Sequence, residues 1–311
     1  MAREYLSKYL PQFGIELERN SKENDIDFIL HIPPAIQHSR AKIKVLYTMI
    51  EGDEVPHSWD KFLDEATHII TPTAFVQKAF ENSGYDSVVI PFGYDPDVFK
   101  DSGIRNNDVF TFLHYEAFQD RKGWEDLMDA WLLSGLAEEE NDCRLILKTI
   151  KPIDEVYKKI EDKFLAKNIR IVLGELPHHS LYDMLSEADC FVFPSRGEGF
   201  SVPPLEAMAT GCPVILSKGH SHMDYYNEDY MYGVKCDIKI PARYQNWEDQ
   251  GNFVRCDVNE LAKVLRHVYD NRKEAMLKGK ASVEYVKKYS YIESARKLAE
   301  YLCQLKDIQA Q

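Results

Sequence analysis

The sequence contains no long apolar run and no sign of an export signal. No stretch of its 311 residues approaches the roughly 18 uncharged apolar residues that a membrane-spanning helix requires. The N-terminus, Met-Ala-Arg-Glu-Tyr-Leu-Ser-Lys, also lacks the apolar core of a signal peptide. We therefore expect a cytoplasmic protein, and peripheral attachment to a membrane stays open.

Basic residues are scarce relative to acidic ones. The chain carries 38 Lys and Arg against 51 Asp and Glu, for a net charge of -13. A chain-wide electrostatic footprint for nucleic acid is therefore absent, and nucleic-acid binding is not expected. The remaining composition, 44% apolar and 29% charged, is typical of a globular protein with a substantial core.

Closely spaced cysteines are missing as well. The six cysteines lie far apart, mostly inside apolar runs such as Asp-Cys-Phe-Val-Phe and Gly-Cys-Pro-Val-Ile. That distribution predicts buried reduced thiols and argues against a disulfide framework or a Cys-x-x-Cys metal site. No carboxylate or cysteine cluster joins the histidine pairs 178–179 and 220/222 at ligand spacing, so no metal site is expected.

Short β-rich runs alternate with segments of helical spacing. The strand-like runs are 26–32, 43–49, 66–71, 87–91, 110–114, 143–149, 169–174, 190–194 and 212–216. The helical segments between them are 59–63, 75–83, 124–133, 153–165, 181–188 and 204–210. Continuous apolar strands alternating with amphipathic helices predict parallel sheets covered on both faces, so the fold class is α/β.

Length and turn signals together predict two domains. A chain of 311 residues is long enough for about two domains of ordinary size. Turn formers concentrate at 91–101, which reads Pro-Phe-Gly-Tyr-Asp-Pro-Asp-Val-Phe-Lys-Asp, and the pattern becomes all-helical from residue 257. We predict a short N-terminal domain at 1–95, a larger domain at 96–285 and a C-terminal helix at 286–311 that crosses back. The aromatic-rich region 225–247 is expected to pack beneath an irregular loop, with stacking against an acceptor as the alternative.

The most informative segment runs from residue 189 to residue 215. An apolar strand ends at Pro194, a glycine-containing loop follows over 195–202, and a short helix begins at a Pro-Pro pair and closes at Gly211. Such a loop lies at the carboxyl edge of a parallel sheet and leads into a helix N-terminus, which favours an anion such as a diphosphate. The motif Gly197-x-Gly199 lacks a third glycine at Val202 and a following acidic residue, which disfavours a dinucleotide-binding dehydrogenase.

Two glutamates, Glu198 and Glu206, lie in this segment. Carboxylates can accept hydrogen bonds from the vicinal hydroxyls of two sugar rings on either side of a diphosphate. Their spacing alone is equally compatible with a solvated loop acid followed by a glutamate that stabilises a helix N-terminus.

Several motifs in order resemble the retaining glycosyltransferases of family 4. The strongest are Pro194-Ser-Arg-Gly-Glu-Gly-Phe and Pro204-Leu-Glu-Ala-Met-Ala-Thr-Gly-Cys-Pro-Val-Ile, which match the family's glutamate pair. Arg121-Lys-Gly-Trp, Gly174-Glu-Leu-Pro, the 91–99 segment and Tyr47-Thr-Met-Ile-Glu also resemble family segments, and together the motifs cover roughly residues 43–300.

The resemblance implies a GT-B architecture, in which two Rossmann-like domains face a cleft, and it implies roles for individual residues. Glu206 would bind the ribose, Lys122 would neutralise the diphosphate, and Glu198 would meet the donor sugar and distal phosphate. The remaining implied contacts to the nucleotide sugar come from Gly199, Phe200, Ser201, Pro177 and His178. The residues themselves leave open that Lys122 is only a solvated lysine beside a glycine turn.

Two departures from the family pattern stand out. The arginine that the family usually places five residues before Lys122 is replaced by Ala117, and Arg121 or Arg196 could supply the missing charge. The N-terminal half is short, and its cleft histidine has no obvious match. His31 and Glu51, both at strand ends, are the catalytic candidates there, and each is equally readable as a structural polar group.

The sequence therefore predicts a metal-independent retaining glycosyltransferase with a front-face mechanism and no cofactor. It would move a hexose-type sugar from a nucleoside diphosphate donor, most readily UDP- or GDP-linked, to the hydroxyl of a glycan, protein or small molecule. A non-catalytic nucleotide-sugar-binding or scaffold subunit and a nucleotide-sugar epimerase remain as alternatives. The donor base, the sugar, the acceptor and the oligomeric state stay open.

Overall fold

The computed structural model describes residues 2–18, 26–103, 105, 107–138, 142–150, 168–243 and 250–309. These residues form two parallel β-sheets, one of four strands and one of seven, with helices on their faces. The sequence-based expectation of an α/β fold is therefore confirmed.

The N-terminal part begins with helix α1 (Ala2–Tyr9) and then builds the smaller sheet. Its strands are β1 (Ile26–Leu30), β2 (Ile43–Tyr47), β3 (His68–Thr71) and β4 (Val88–Val89), paired in that order and all parallel. Helices α2 (Asp60–Leu63) and α3 (Ala74–Asn82) lie between the later strands. The hydroxyl of Thr73 caps α3 by accepting a hydrogen bond from the Val76 amide at 3.2 Å, which defines where this helix begins.

The larger sheet contains seven strands. They are β5 (Phe110–Tyr115), β6 (Cys143–Thr149), β7 (Ile169–Leu173), β8 (Cys190–Phe193), β9 (Val214–Lys218), β10 (Tyr232–Pro241) and β11 (Asn252–Cys256). All neighbours are parallel except β10 and β11, which pair antiparallel. Helices α4 (Trp124–Leu133), α5 (His178–Glu187) and α6 (Pro203–Ala209) connect the strands, while the predicted helix at 153–165 lies outside the described residues.

Strand order decides where a ligand can enter this sheet. The order is β11-β10-β9-β8-β5-β6-β7, so the chain winds outward from β5 in one direction and from β8 in the other. The loops after β5 and β8 therefore leave the sheet in opposite directions and open a crevice at its carboxyl edge, where doubly wound sheets bind ligands.

The region between β9 and α7 (Val258–Asp270) corrects the sequence analysis. Residues 232–241 and 252–256 form an antiparallel strand pair, whereas the sequence analysis predicted no strand here and expected the aromatic region to pack beneath an irregular loop. Tyr225 packs in the core as predicted, but Tyr232 belongs to β10, and residues 244 and 247 lie outside the described residues. Sequence periodicity missed β10 because its side chains are mostly half-buried or exposed, so no apolar run marks it.

The cysteines are free, as expected, but they are not all buried. Four of them are buried, whereas Cys236 is half-buried in β10 and Cys303 is exposed on α9 (Tyr291–Gln309). Cys303 follows the buried residue Leu302, and one step along a helix turns the side chain by about 100°, so Cys303 lies outside the buried face.

The helical tail consists of α7, α8 (Arg272–Val286) and α9. Helix α9 packs along α1, and its Tyr301 hydroxyl lies 3.2 Å from Nδ1 of His68 at the start of β3. The domain bounds 1–95, 96–285 and 286–311 nevertheless stay a prediction. None of the described helices is both long and apolar enough to cross a membrane.

Candidate functional site

The residues singled out by the sequence flank the crevice between β5 and β8. The chain leaves β5 at Tyr115 and passes through Arg121 and Lys122 into α4. It leaves β8 at Phe193 and passes through the 195–202 loop into α6, which carries Glu206. Parallel strands end at the same edge of a sheet, so these two connections lie side by side although they are about 75 residues apart in sequence.

Glu198 is held by three donors. Its Oε1 lies 2.8 Å from Nζ of Lys122, 3.1 Å from Nη1 of Arg121 and 2.6 Å from Oγ of Ser195. Burial alone would raise the pKa of this carboxyl, but the charges of Lys122 and Arg121 outweigh it and hold the pKa well below its usual range. Glu198 is therefore an ionised carboxylate at neutral pH despite being 4% exposed.

Lys122 is also the partner of a second carboxylate. Its Nζ lies 2.9 Å from Oε2 of Glu116, the residue that follows β5. Gly123 allows this arrangement, because it has φ +68 and a Cβ there would collide with the carbonyl of Pro194. The turn at Gly123 therefore places the Lys122 side chain at the carboxyl edge of the larger sheet, directly before α4 begins.

Arg121 reaches from the larger sheet toward the smaller one. Its Nη1 donates to the Gly197 carbonyl at 2.9 Å, and its Nη2 lies 3.5 Å from Oε1 of Glu51, which follows β2. Burial raises the pKa of Glu51, and Arg121 opposes that rise. Arg121 thereby brings a second fixed cation to Glu198, in the neighbourhood where Ala117 replaces the usual arginine.

Glu206 has a very different environment. Its Oε2 accepts a short hydrogen bond from the Tyr115 hydroxyl. Burial raises the pKa of Glu206 to about 7, the Tyr115 hydrogen bond opposes this rise, and Glu116 and Asp95 add to it. The two glutamates of the sequence motif therefore have pKa values pushed in opposite directions.

The 195–202 loop is in contact with the smaller sheet. The Thr73 hydroxyl donates to the Gly199 carbonyl at 3.0 Å, and a Cβ on Gly199 would lie 2.5 Å from the carbonyl oxygen of Ile50. Asp224 accepts from the Ala74 amide at 2.5 Å and so stabilises the start of α3 from the opposite domain. These contacts bring Glu51 and Thr73 to the rim of the same crevice.

Arg196 lies behind the loop and not beside Lys122. Its Nε donates to Oδ2 of Asp126 at 2.9 Å, and Nη2 of Arg255 approaches Oδ1 of the same carboxylate at 2.6 Å. Asp126 is fully buried, so the two arginines neutralise it and anchor β8, α4 and β11 together. The role of Arg196 as a phosphate cation stays a prediction, with this geometry favouring Arg121 instead.

A buried histidine pair lies beneath the loop, and the sequence analysis named this pair without assigning it a role in the site. Nε2 of His222 is 2.9 Å from the Ser201 hydroxyl, while Nε2 of His220 is 2.9 Å from the Ser195 carbonyl. Burial lowers the pKa of His220 to about 4 and that of His222 well below its usual range, so both rings are neutral. Their position after β9, the strand next to β8, was the available signal.

Among the described residues, no group of three or more His, Cys, Asp or Glu side chains could hold a metal ion. The Ser217 hydroxyl connects the two rings, at 3.2 Å from His220 and 3.0 Å from His222. The network therefore fixes the backbone of Ser195 and the side chain of Ser201 on either side of Glu198.

The remaining predicted residues are spread around this centre. Phe200 is buried with its ring 5.8 Å from that of Phe92, and Pro177 immediately precedes α5. His178 begins α5, and its ring lies 5.9 Å from that of Tyr5 in α1. His31 is exposed after β1 and makes no side-chain contact with Glu198, Glu206 or Lys122 in the described part of the chain.

Helix α1 was not predicted, yet it borders the site. Its Lys8 and Tyr9 bind Asp95 of the 91–101 segment at 3.2 and 2.6 Å, and the Tyr5 ring stacks 4.5 Å from that of Tyr291 at the start of α9. The N-terminus and the C-terminal helix thus meet beside Glu206 and His178. Only eight residues form α1, which is too short for a clear helical period in the sequence.

Two curated proteins illustrate the sequence relationships. The chain is 26% identical over 188 residues to the MMP alpha-(1->4)-mannosyltransferase of Mycolicibacterium hassiacum, covering 60% of this chain and 40% of that protein. It is 26% identical over 141 residues to putative glycosyltransferase 45 of a Sulfolobus islandicus filamentous virus, covering 44% of this chain and 40% of that one. The chain thus spans less than half the length of these two relatives.

Solved structures share the fold over nearly the whole chain. A glycosyltransferase from Rickettsia africae superposes with a TM-score of 0.71 at 17% identity, covering 96% of this chain and 93% of that one. Anabaena Alr3699/HepE, solved in complex with UDP and glucose, gives a TM-score of 0.70 at 15% identity and covers 96% and 81%. The predicted GT-B fold, two Rossmann-like domains with a C-terminal helical tail, is confirmed.

The sequence profile described as glycosyl transferases group 1 matches residues 96–275. This range begins in the segment between the two sheets and contains all seven strands of the larger one together with Lys122, Glu198 and Glu206. Because more than half of the chain matches, this protein belongs to the glycosyl transferases group 1 family.

Proposed function

We propose that the chain is a retaining, metal-independent glycosyltransferase of family 4. It would transfer a sugar from a nucleoside diphosphate donor to an acceptor hydroxyl. The observation that carries this proposal is the ion cluster at the crevice, where Lys122 and Arg121 converge on Glu198 within 3.1 Å at the carboxyl edge of a doubly wound sheet. The HepE neighbour, solved with UDP and glucose, supports a nucleotide sugar as the donor.

The two cations suit a diphosphate leaving group. Negative charge develops on the phosphate as the glycosidic bond breaks, and fixed positive groups in a buried site stabilise that charge without reorganising. Lys122 and Arg121 are both at most 9% exposed and are held in position by carboxylates. A diphosphate would compete with Glu116 and Glu51 for them, so these acids also limit non-specific anion binding.

Glu198 supports the sugar end of the donor. As an ionised carboxylate it accepts hydrogen bonds from sugar hydroxyls, and it also compensates positive charge that develops at the anomeric carbon. Ser195 and the two cations orient its Oε1, while the buried histidines hold the loop on which it sits. The adjacent Gly199, Phe200 and Ser201 would complete the contacts to the sugar and distal phosphate.

The proposed chemistry is a front-face substitution. The acceptor oxygen bonds to the anomeric carbon on the face from which the diphosphate departs, and the acceptor proton passes to the departing phosphate oxygen. Glu51 lies across the crevice with a raised pKa, but its Oε1 is engaged with Arg121, which favours a positioning role over attack on the sugar. His31, an exposed residue that follows β1, stays the second catalytic candidate on the side of the smaller sheet.

The base and ribose would lie on the other side of the phosphates. Glu206 would bind the ribose, and Pro177 and His178 at the start of α5 would contact the base. Uracil and guanine donors, UDP- and GDP-linked, are the first to test. The acceptor is proposed to be a glycan, a protein or a small molecule.

Donor hydrolysis tests the proposal without knowledge of the acceptor. We expect slow release of free sugar from a UDP- or GDP-sugar in the presence of EDTA, with the first anomer seen by NMR matching that of the donor. Glu198→Ala should abolish turnover and Glu206→Ala should weaken nucleotide binding, whereas Glu187→Ala, an exposed carboxylate on α5, should change neither. Unchanged rates in both site variants would refute the assignment.

The main rival, a non-catalytic nucleotide-sugar-binding subunit, predicts a different result. Ala117 and the short N-terminal domain motivate this rival, and the nearness of Arg121 to Glu198 weakens the first of these two reasons. Tight nucleotide binding with neither hydrolysis nor transfer, for any donor, would favour the rival. Rearrangement of the donor sugar without its release would favour an epimerase.

A further inference from the structure

The carboxylate of Glu206 presents its two oxygens in unequal ways. Its Oε2 accepts the hydrogen bond from the Tyr115 hydroxyl, the last side chain of β5. Its Oε1 accepts no hydrogen bond from the described residues. Both side chains are at most 6% exposed, so the bond is shielded from water and the Glu206 side chain has a single fixed orientation.

The titratable groups that act on Glu206 in the described part of the chain include no cation. The titratable groups that act on it in the described residues are Tyr115 and Glu116 at the end of β5, Asp95 of the 91–101 segment, Tyr5 of α1 and Tyr291 of α9. All five are acidic or phenolic. Glu198, in contrast, is within 3.1 Å of two cations.

The protonation state of a buried carboxyl without a cationic neighbour depends on the hydrogen bonds that it accepts. Without a cation nearby, burial favours the protonated form, and the Tyr115 hydroxyl is the one donor in the described structure that favours the ionised form. A phenol can donate here because burial also raises the pKa of Tyr115 well above its usual value, so the hydroxyl keeps its proton. Tyr115 therefore acts on both the geometry and the charge of Glu206.

We propose that Tyr115 is the positioning residue of the ribose site: its hydroxyl holds Oε2 of Glu206, so that the ionised carboxylate turns Oε1 toward the vicinal hydroxyls of the donor ribose. This inference rests on the proposed function, in which Glu206 binds the ribose. It adds that nucleotide affinity rises with pH, because only the ionised carboxylate accepts two ribose hydroxyl hydrogen bonds fully. It also adds that Tyr115 sets the pH at which this rise occurs.

Tyr115→Phe tests the proposal with little change in shape. Nucleotide binding is measured by calorimetry with UDP, GDP and 2′-deoxy-UDP between pH 6 and 9. For the wild type we expect affinity for UDP or GDP to rise with a midpoint near pH 7, the value to which the pKa of Glu206 is raised. In Tyr115→Phe the midpoint should move to higher pH, affinity at pH 7 should fall about tenfold, and any preference for UDP over its 2′-deoxy form should shrink.

Tyr94→Phe is the matched control. Tyr94 is another buried tyrosine of the core, its hydroxyl makes no hydrogen bond among the described residues, and Glu206 does not act on it. Removing this hydroxyl should leave both the affinity and its pH midpoint unchanged. An equal loss of affinity at every pH in Tyr115→Phe would indicate a merely structural role and would overturn the proposal.

A ligand-free measurement separates this inference from the proposed function. Titration of the Glu206 carboxyl by carbon NMR should show a higher midpoint in Tyr115→Phe than in the wild type. The same midpoint in both proteins overturns the role of Tyr115, whatever binds there. A shifted midpoint together with no binding of any nucleotide by the wild type overturns the proposed function and the ribose assignment, while the hold of Tyr115 on Glu206 stands.

Discussion

Nζ of Lys122 lies 2.8 Å from Oε1 of Glu198, and the two side chains are only 7% and 5% exposed. Lys122 lies in the connection from β5 to α4, and Glu198 lies in the connection from β8 to α6, on the other side of the crevice. A buried pair of this kind is costly to break on one side, because the remaining charge loses its partner without gaining water.

Lys122→Met should destabilise the protein by about 3 kcal/mol, since it leaves Glu198 paired with Arg121 alone and removes the lysine partner of Glu116. The double variant Lys122→Met with Glu198→Gln should be less destabilised than the single variant, because it removes both charges. Urea unfolding of the four proteins of this cycle measures the coupling. Additive effects of the two changes would show that the pair is not energetically linked. Neither variant should retain sugar transfer.

Glu206→Gln should make the ligand-free protein more stable while weakening nucleotide binding. The pKa of Glu206 is raised from 4.5 to about 7 in the folded chain, so ionising this group opposes folding. Its contribution to stability is present below pH 4.5 and is lost as the pH rises through 7. The variant should therefore match the wild type near pH 4.5 and exceed it by about 3 kcal/mol at pH 8.

Urea unfolding at the two pH values measures this difference. Glu187→Gln, on an exposed site of α5, is the control and should show no pH-dependent gain. A Glu206→Gln protein that is less stable than the wild type at pH 8 would contradict the prediction.

Acid should destabilise the protein through the buried histidines. The pKa of His220 falls from 6.5 to about 4 on burial, and burial also lowers the pKa of His222 well below its usual range. The unfolded chain binds these protons first, so stability is full above pH 6.5 and is lost as the pH falls toward 4. Between pH 7 and pH 5, His220 alone should cost about 2 kcal/mol.

Thermal unfolding at pH 7 and pH 5 tests this with a pair of variants. His220→Asn should show a smaller loss between the two pH values than the wild type. His38→Asn, which changes an exposed histidine, should lose as much as the wild type. Equal pH dependence in all three proteins would rule the histidine pair out as the acid-sensitive group.

Asp126→Ala should be far more harmful than its surface counterpart Asp270→Ala. Both carboxylates lie 2.9 Å from an arginine Nε, from Arg196 and Arg266 respectively, but Asp126 is buried and Asp270 is exposed. Loss of the buried partner leaves Arg196 and Arg255 uncompensated and should cost about 3–5 kcal/mol, against about 0.5 kcal/mol at the surface. Denaturant midpoints compare the two directly, and similar shifts would contradict the role given to burial.

Most elements of the fold were predictable because each carries its own local signal. The nine strand-like runs and five of the six helical segments between them coincide with observed elements, and the sixth lies outside the described residues. The elements that were missed, α1, β10 and β11, are short or half-exposed, so neither length nor apolar periodicity distinguishes them from loops. Their structure depends on neighbours distant in sequence.

The site was predictable in part for the same reason. Glu198, Glu206 and Lys122 belong to continuous motifs, so the sequence identified them without knowledge of their neighbours. The place of Arg121 beside Glu198, the diversion of Arg196 to Asp126 and the Tyr115–Glu206 bond join residues 70 to 91 positions apart. Spacing in the sequence does not predict these contacts, because it is the order of the strands in the sheet that brings the residues together.

By itself, then, the amino-acid sequence determined the alternation of strands and helices and the motif residues at the sheet edge, since both follow from local periodicity and turn chemistry. Only the tertiary structure decided how those residues are charged. Burial beside Lys122 and Arg121 keeps Glu198 ionised, whereas burial among tyrosines and acids raises the pKa of Glu206 to about 7. The physical reason is that a carboxyl's pKa depends on desolvation and on the partners that folding brings within a few ångströms.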